Sequence, residues 1–231
     1  MGSSFVEHLS DSQPSVVMQA LCDLLDESEE QSDLVLIQAV LNLLQHVDET
    51  VREYAATVIA EKVVWDNRLA HTFAGALRDE SPIVRERVLH YCQKVPHDET
   101  LNDLILPILT DAHCILRINA ARALWKHSRG SVFIDHIIEE ALQSGESNCI
   151  CEGCQLLCEM RGSGRNHLSS VLTLLRSHEG TVRGNALKAL GAVSDDRELL
   201  FKHARLLEAD ADPLVRFLVS QILKKHSGPS D

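Results

Sequence analysis

The chain has 231 residues, 45% hydrophobic and only 4% aromatic, which excludes wholesale disorder and favours packed helices over paired strands. Its net charge of −12 is uneven: residues 1–50 hold 10 of the 34 acidic side chains and no Lys or Arg, leaving 24 acidic and 22 basic residues in the other 181. That acidity, densest at Asp26, Glu27, Glu29, Glu30 and Asp33, reads either as a solvated linker between two helices or as a field that repels nucleic acid and attracts a basic partner.

The first residues, Met1 to Gln13, carry neither a basic start nor an apolar run, and no stretch approaches the roughly 20 apolar residues of a membrane span. Seven cysteines without a leader read as reduced thiols, so the expected location is cytoplasmic and membrane-free.

In chain order, one pattern recurs: a turn residue, an aliphatic residue, a key position, and then an apolar series at helical spacing. The key positions are Val17, Arg52, Arg85, Arg117, Cys151, Arg183 and Arg216, separated by 35, 33, 32, 34, 32 and 33 residues. Taking each as position 0, apolar residues fall at −1, +3 and +6 or +7, one face of a helix. Pro82 and Pro213 suit the first turn of such helices. Upstream of each lies a second amphipathic stretch, short at Ser4 to Ser10, then Leu34 to His46, Arg68 to Arg78, Glu99 to Thr110, Val132 to Gln143, His167 to Ser177 and Glu198 to Glu208. Arg129–Gly130, Gly162–Ser163–Gly164 and Ser194–Asp195–Asp196 carry turn chemistry. The repeats fall at about 1–33, 34–66, 67–98, 99–130, 131–165, 166–196 and 197–231, with no composition break, so a single domain over 1–231 is expected.

Neither the Trp and Tyr signature of tetratricopeptide repeats nor the Thr-Pro-Leu-His turn of ankyrin repeats recurs. The Asp-x5-Arg pairs Asp79/Arg85, Asp111/Arg117 and Asp210/Arg216, with Asn185–Ala186–Leu187–Lys188–Ala189–Leu190–Gly191, instead resemble HEAT repeats, in particular the short phycobilin-lyase-type form. That resemblance implies an all-α, right-handed α-solenoid of about seven helix pairs, with a first-helix kink at Pro107. It also implies that Arg52, Arg85, Arg117, Arg183 and Arg216, with Asp79, Asp111 and Asp210, form a structural ladder between repeats. Asp48 sits two residues closer to its Arg, and Val17 and Cys151 interrupt the ladder.

Cys149, Cys151, Cys154 and Cys158 form the one unusual local cluster. At i, i+3 and i+7, Cys151, Cys154 and Cys158 share a helix face, so they are either weak metal-ligand candidates or core cysteines. His178–Glu179 is the only adjacent His-then-Glu pair, too few for the diiron site of deoxyhypusine hydroxylase, a HEAT-like enzyme. Trp65 and Trp125 lack the surroundings a HEAT-like DNA glycosylase needs, and no nucleophile elbow or phosphate loop occurs. No catalytic residue and no cofactor is therefore assigned.

The resemblance places the second helices on the concave surface, where Glu86, Arg122, Trp125, Glu152, Lys188 and Phe217, with Ile118, are expected to face a partner. The expected function is a non-enzymatic scaffold or adaptor for a protein or peptide; the alternative is a chromophore-lyase type of enzyme or enzyme subunit, with a DNA glycosylase behind it. Nothing in the residues indicates an oligomeric state.

Overall fold

The structure, a computed structural model, describes residues 2–28, 33–64, 70–95, 99–128 and 132–224. Trp65, Arg68 and the Arg129–Gly130 turn lie outside these residues. The described residues form fourteen α-helices: α1 Gly2–Leu9, α2 Pro14–Asp26, α3 Leu34–Asn42, α4 Glu49–Lys62, α5 Ala70–Ala76, α6 Pro82–Cys92, α7 Glu99–Ile105, α8 Cys114–Ser128, α9 Val132–Gln143, α10 Ser147–Glu159, α11 Leu168–Leu174, α12 Gly180–Val193, α13 Arg197–Leu206 and α14 Pro213–Lys224. They make seven consecutive helix pairs, an all-α repeat architecture. None of the described helices is long and apolar enough to cross a membrane.

The chain packs as two compact units, Met1–Arg129 and Gly130–Asp231, divided between the fourth and fifth pairs. In the first unit the second helices stack in the order α2, α4, α6, α8; in the second unit α10, α12 and α14 do the same. The apolar stripe explains the stacking. Positions −1, +3, +4, +6 and +7 are all at most 2% exposed in α4 (Val51, Ala55, Ala56, Val58, Ile59) and in α6 (Val84, Val88, Leu89, Tyr91, Cys92). The same positions are buried in α8 and α12. The Ala residues at +3 leave room for close helix approach, and the larger neighbours fill the rest.

Pro107 acts as the sequence implied. Its missing N–H and fixed φ end the α-helical ladder, and α7 gives way to a 3-10 turn over Leu106–Thr110. In the second unit, Gly162 takes a φ of 82°, open to glycine, and its N–H donates to Ala192 O at 3.3 Å.

The fifth pair corrects the sequence register by one residue. In α10 the buried residues are Cys149, Ile150, Gly153, Cys154, Leu156, Leu157 and Met160. They match Val182, Arg183, Ala186, Leu187, Ala189, Leu190 and Val193 of α12 only if Ile150, not Cys151, stands at position 0. The helix starts agree, since Ser147 and Gly180 each lie three residues before Ile150 and Arg183. The spacings then become 35, 33, 32, 33, 33 and 33 residues.

Candidate functional site

Each second helix is entered through the same turn. The side chain at −6 accepts a hydrogen bond from the backbone N–H two residues on, an Asx-type turn that starts the helix. Four are aspartates: Asp11 to Gln13 N, Asp79 to Ser81 N and Asp210 to Asp212 N at 2.8 Å, and Asp111 to His113 N at 2.9 Å. Ser144 and Ser177 do the same for Glu146 and Glu179 at 3.2 Å, and His46 Nδ1 for Asp48 at 3.1 Å. Asp48 is therefore not a displaced ladder carboxylate: His46 holds the turn, and Asp48 caps α4 through Thr50 N at 2.8 Å.

The arginine at position 0 does two things at once. One terminal nitrogen closes its own turn: Arg52 onto His46 O (3.0 Å), Arg85 onto Asp79 O (2.6 Å), Arg117 onto Asp111 O (2.8 Å), Arg183 onto Ser177 O (2.8 Å) and Arg216 onto Asp210 O (2.6 Å). The other edge of the guanidinium forks onto the next turn's aspartate. Arg52 meets Asp79 at 2.8 and 3.1 Å, Arg85 meets Asp111 at 2.9 and 3.3 Å, and Arg183 meets Asp210 at 2.8 and 2.5 Å. The fork raises Arg52 and Arg183 above the ordinary guanidinium value and holds the Asp210 carboxyl below its usual range. Burial alone would raise Asp111, but the His113 N–H and Arg85 outweigh it and hold that carboxyl low. Between the fifth and sixth pairs Ile150 and Ser177 replace Arg and Asp together, so neither charged half is buried without the other.

Two further sets of contacts were missed from sequence. At the far ends of the second helices in the first unit, a Lys or His side chain reaches back to a carbonyl at the C-terminal end of the previous second helix. Lys62 meets Glu27 O, Lys94 Nζ meets Ala60 O at 2.8 Å, and His127 Nε2 meets Cys92 O at 3.0 Å. Helix C-termini leave carbonyls unsatisfied and carry partial negative charge, which suits donor side chains there. The available signal was a Lys or His nine or ten residues after position 0.

In the second unit His167 is buried at 3% exposure, with Nδ1 2.8 Å from Glu139 Oε2 and Nε2 3.3 Å from Asp135 Oδ1. Ser170 and Gln143 also donate to Glu139. Burial would raise Glu139, but Ser170, His167 and Gln143 together hold it below the usual carboxylate range. The Ser170 hydroxyl points at Glu139 rather than at His167, so the cluster pins α11 to α9 and has no nucleophile–base geometry.

The cysteine cluster resolves into two kinds of thiol. Cys154, at +4 like Leu187, is fully buried, and burial pushes its thiol up to about 12. Cys151 and Cys158 fall at +1 and +8, half-exposed, with thiols also raised by burial. Cys158 is thus not a fully buried core cysteine, unlike Cys154. Raised thiols are poor nucleophiles and poor ligands. Among the described residues no group of three His, Cys, Asp or Glu side chains can hold a metal ion, so Cys151, Cys154 and Cys158 share a face without converging.

The expected inner-face residues divide by helix. Glu86 on α6 and Glu152 on α10 are half-exposed, Lys188 on α12 is exposed, and Phe217 on α14 is 63% exposed. On α8 the expectation needs correction: Ile118 is fully buried, and Arg122 is 7% exposed with Nη1 2.6 Å from Asn119 Oδ1. Burial on α8 extends to +1, +2 and +5, so only half-buried Trp125 and exposed Lys126 remain open there. His178–Glu179 lies in the turn before α12 with its ring exposed, 3.5 Å from the carboxylate.

No family model matches the chain, and no curated protein matches it. Solved structures do. The chain is similar to a HEAT-like repeats protein from the archaeon Thermococcus onnurineus NA1, at 18% identity and a TM-score of 0.53, over 97% of this chain and 96% of that one. It is also similar to an engineered structural-genomics protein at 17% identity and a TM-score of 0.56, over 83% and 97% of the two chains. At these identities the likeness is one of fold: an all-α, HEAT-like repeat solenoid.

Proposed function

We propose that this HEAT-like solenoid is a non-enzymatic binding scaffold that holds a protein or peptide segment along the inner faces of its second helices. The observation that carries the proposal is the recurrence of open, chemically varied side chains at equivalent heights on successive helices of the second unit. Gln155 on α10, Lys188 on α12 and Gln221 on α14 all stand at +5; Phe217 and Lys224 stand at +1 and +8 on α14, and Glu152 and Glu159 lie one residue further along α10, at +2 and +9. In the first unit Glu86 and His90 on α6 occupy the same heights. None is buried in the core, and none is needed for the arginine rungs.

The spacing suggests what is read. Packed helices lie about 8–10 Å apart, and an extended chain advances about 3.4 Å per residue. Each helix of the second unit therefore meets roughly every third residue of an extended segment. The ligand would carry a basic residue against Glu152 and Glu159, and an acidic one about three positions away against Lys188. The free state of all seven cysteines supports a reducing, cytoplasmic setting.

Peptide-display selection on the wild-type protein tests the reading against two variants, E152K/E159K and K188E. The expected result is an enriched motif whose charge at the corresponding position inverts with the variant. A wild-type protein that enriches no motif, or variants that enrich the same motif, would overturn it.

A further inference from the structure

A rung needs two prepared halves. One is an arginine whose inner nitrogen already closes its own turn, leaving Nε and the second terminal nitrogen directed onward. The other is an aspartate with one oxygen committed to its own Asx turn and the rest of the carboxylate open. In the first and the last of the described repeats each half occurs alone. Arg216 Nη1 is on Asp210 O at 2.6 Å and Ala211 O at 3.0 Å, as in every complete rung, yet no carboxylate among the described residues takes its outward fork. Asp11 Oδ1 accepts Gln13 N at 2.8 Å, as Asp79 and Asp210 do in their turns, and residues 1–10 contain no arginine to take the other oxygen.

The surfaces around these half-rungs complement each other in the same register. On α14, Leu214 is 72% and Phe217 63% exposed, followed by exposed Gln221 and Lys224. On α2 the matching heights carry Ser15, half-exposed Met18 and Cys22, and then half-exposed Leu25 beside the exposed carboxylates Asp23 and Asp26. Laid side by side as successive second helices, Arg216 would meet Asp11, Phe217 would meet Met18, and Lys224 would meet Asp23 and Asp26. The head is strongly acidic, with no Lys or Arg in residues 1–50, whereas α14 contributes only basic charge, Arg216 and Lys224.

We propose that copies of this chain associate head to tail, the α14 face of one protomer docking on the α1–α2 end of the next through an Arg216–Asp11 rung. The contact is heterologous, so it extends to chains of protomers rather than stopping at a two-fold dimer. Phe217, Gln221 and Lys224 also belong to the inner-face set proposed above, but the Arg216–Asp11 rung uses none of that set.

Sedimentation velocity across a concentration series, at low and high salt, measures it. The 231-residue chain should form dimers and larger species that grow with concentration and shrink with salt. Asp11→Arg alone should lose association, because an arginine head meets an arginine tail. Arg216→Glu alone should lose it for the opposite reason. An equimolar mixture of the two variants should regain it, since each head then faces a tail of opposite charge; this also shows that both variants are folded. A wild-type protein that stays monomeric, association that persists in either variant alone, or a mixture that fails to reassemble would each overturn the proposal. Persistence in both variants with loss in Phe217→Ser would mean a tail-to-tail apolar contact instead.

Discussion

Arg183 holds Asp210 with both edge nitrogens, at 2.8 and 2.5 Å, while its remaining nitrogen sits on Ser177 O at 2.8 Å. One side chain thus fixes the turn of its own repeat and the position of the next. Both partners are largely buried, at 12% and 4% side-chain exposure, so removing one leaves the other charge without its partner in a poorly hydrated place.

Asp210→Ala should therefore destabilise the protein by about 2–3 kcal/mol, the range for losing charge-assisted hydrogen bonds at a part-buried site. Arg216→Ala, whose side chain is exposed, should cost no more than about 1 kcal/mol. Urea melts of the two variants at low protein concentration measure the difference. Equal losses would mean that the fork contributes nothing beyond turn closure.

Acid sensitivity follows from the lowered carboxyls Asp111, Glu139 and Asp210. A group whose folded pKa lies below its unfolded value contributes stability that is fully present above the unfolded value and is lost as pH falls through the folded one. Stability should be flat from neutral pH down to about 5 and then fall steeply below about 4, the ordinary carboxylate range. Asp210→Asn should lower the plateau and flatten the fall. Denaturant midpoints at a series of pH values check both, and an unchanged slope would contradict the assignment.

The thiols separate by register. Cys154→Ser places a hydroxyl at a fully buried position and should cost about 1–3 kcal/mol; Cys151→Ser, half-exposed, should cost under about 1 kcal/mol. A raised folded value also reverses the pH rule, because stability present below the unfolded thiol value is lost as pH rises. With Cys154 near 12 when folded, stability should decline above about pH 9, and less so in Cys154→Ala. Melting temperatures between pH 7 and 10.5 measure it, and equal decline in both proteins would exclude the Cys154 contribution.

Gly180 opens α12, where helix propensity alone predicts a gain of about 0.5–1 kcal/mol from alanine. The structure predicts the opposite sign, because a Cβ there would overlap the Asp212 side chain. Gly180→Ala should destabilise by about 1–3 kcal/mol, the usual cost of overpacking. Gly180→Ala combined with Asp212→Ala should recover part of the loss. A stabilised single variant would show that Asp212 moves aside freely.

Much of this architecture was legible in the residues. The period near 33, the helix-forming stripe and the Arg series follow from chemistry local to each repeat, and local chemistry is written in order along the chain. A ladder of Arg and Asp between repeats was implied by the HEAT-like resemblance alone, and the structure supplies its pairing, Arg85 with Asp111. The register of α10 was not legible: Ile150 and Cys151 are adjacent, apolar and equally plausible at the key position, and only the burial of Gly153, Cys154, Leu156 and Leu157 decides between them. The same holds for Arg122, whose sequence position predicts an open face and whose burial depends on what packs around α8. His167 meets Asp135 and Glu139 across about 30 positions with no recurring spacing to mark the pairing, and Lys94 meets Ala60 O, a partner with no compositional mark at all. A backbone carbonyl is the same in every residue, so which one a side chain reaches is decided only when the helices pack.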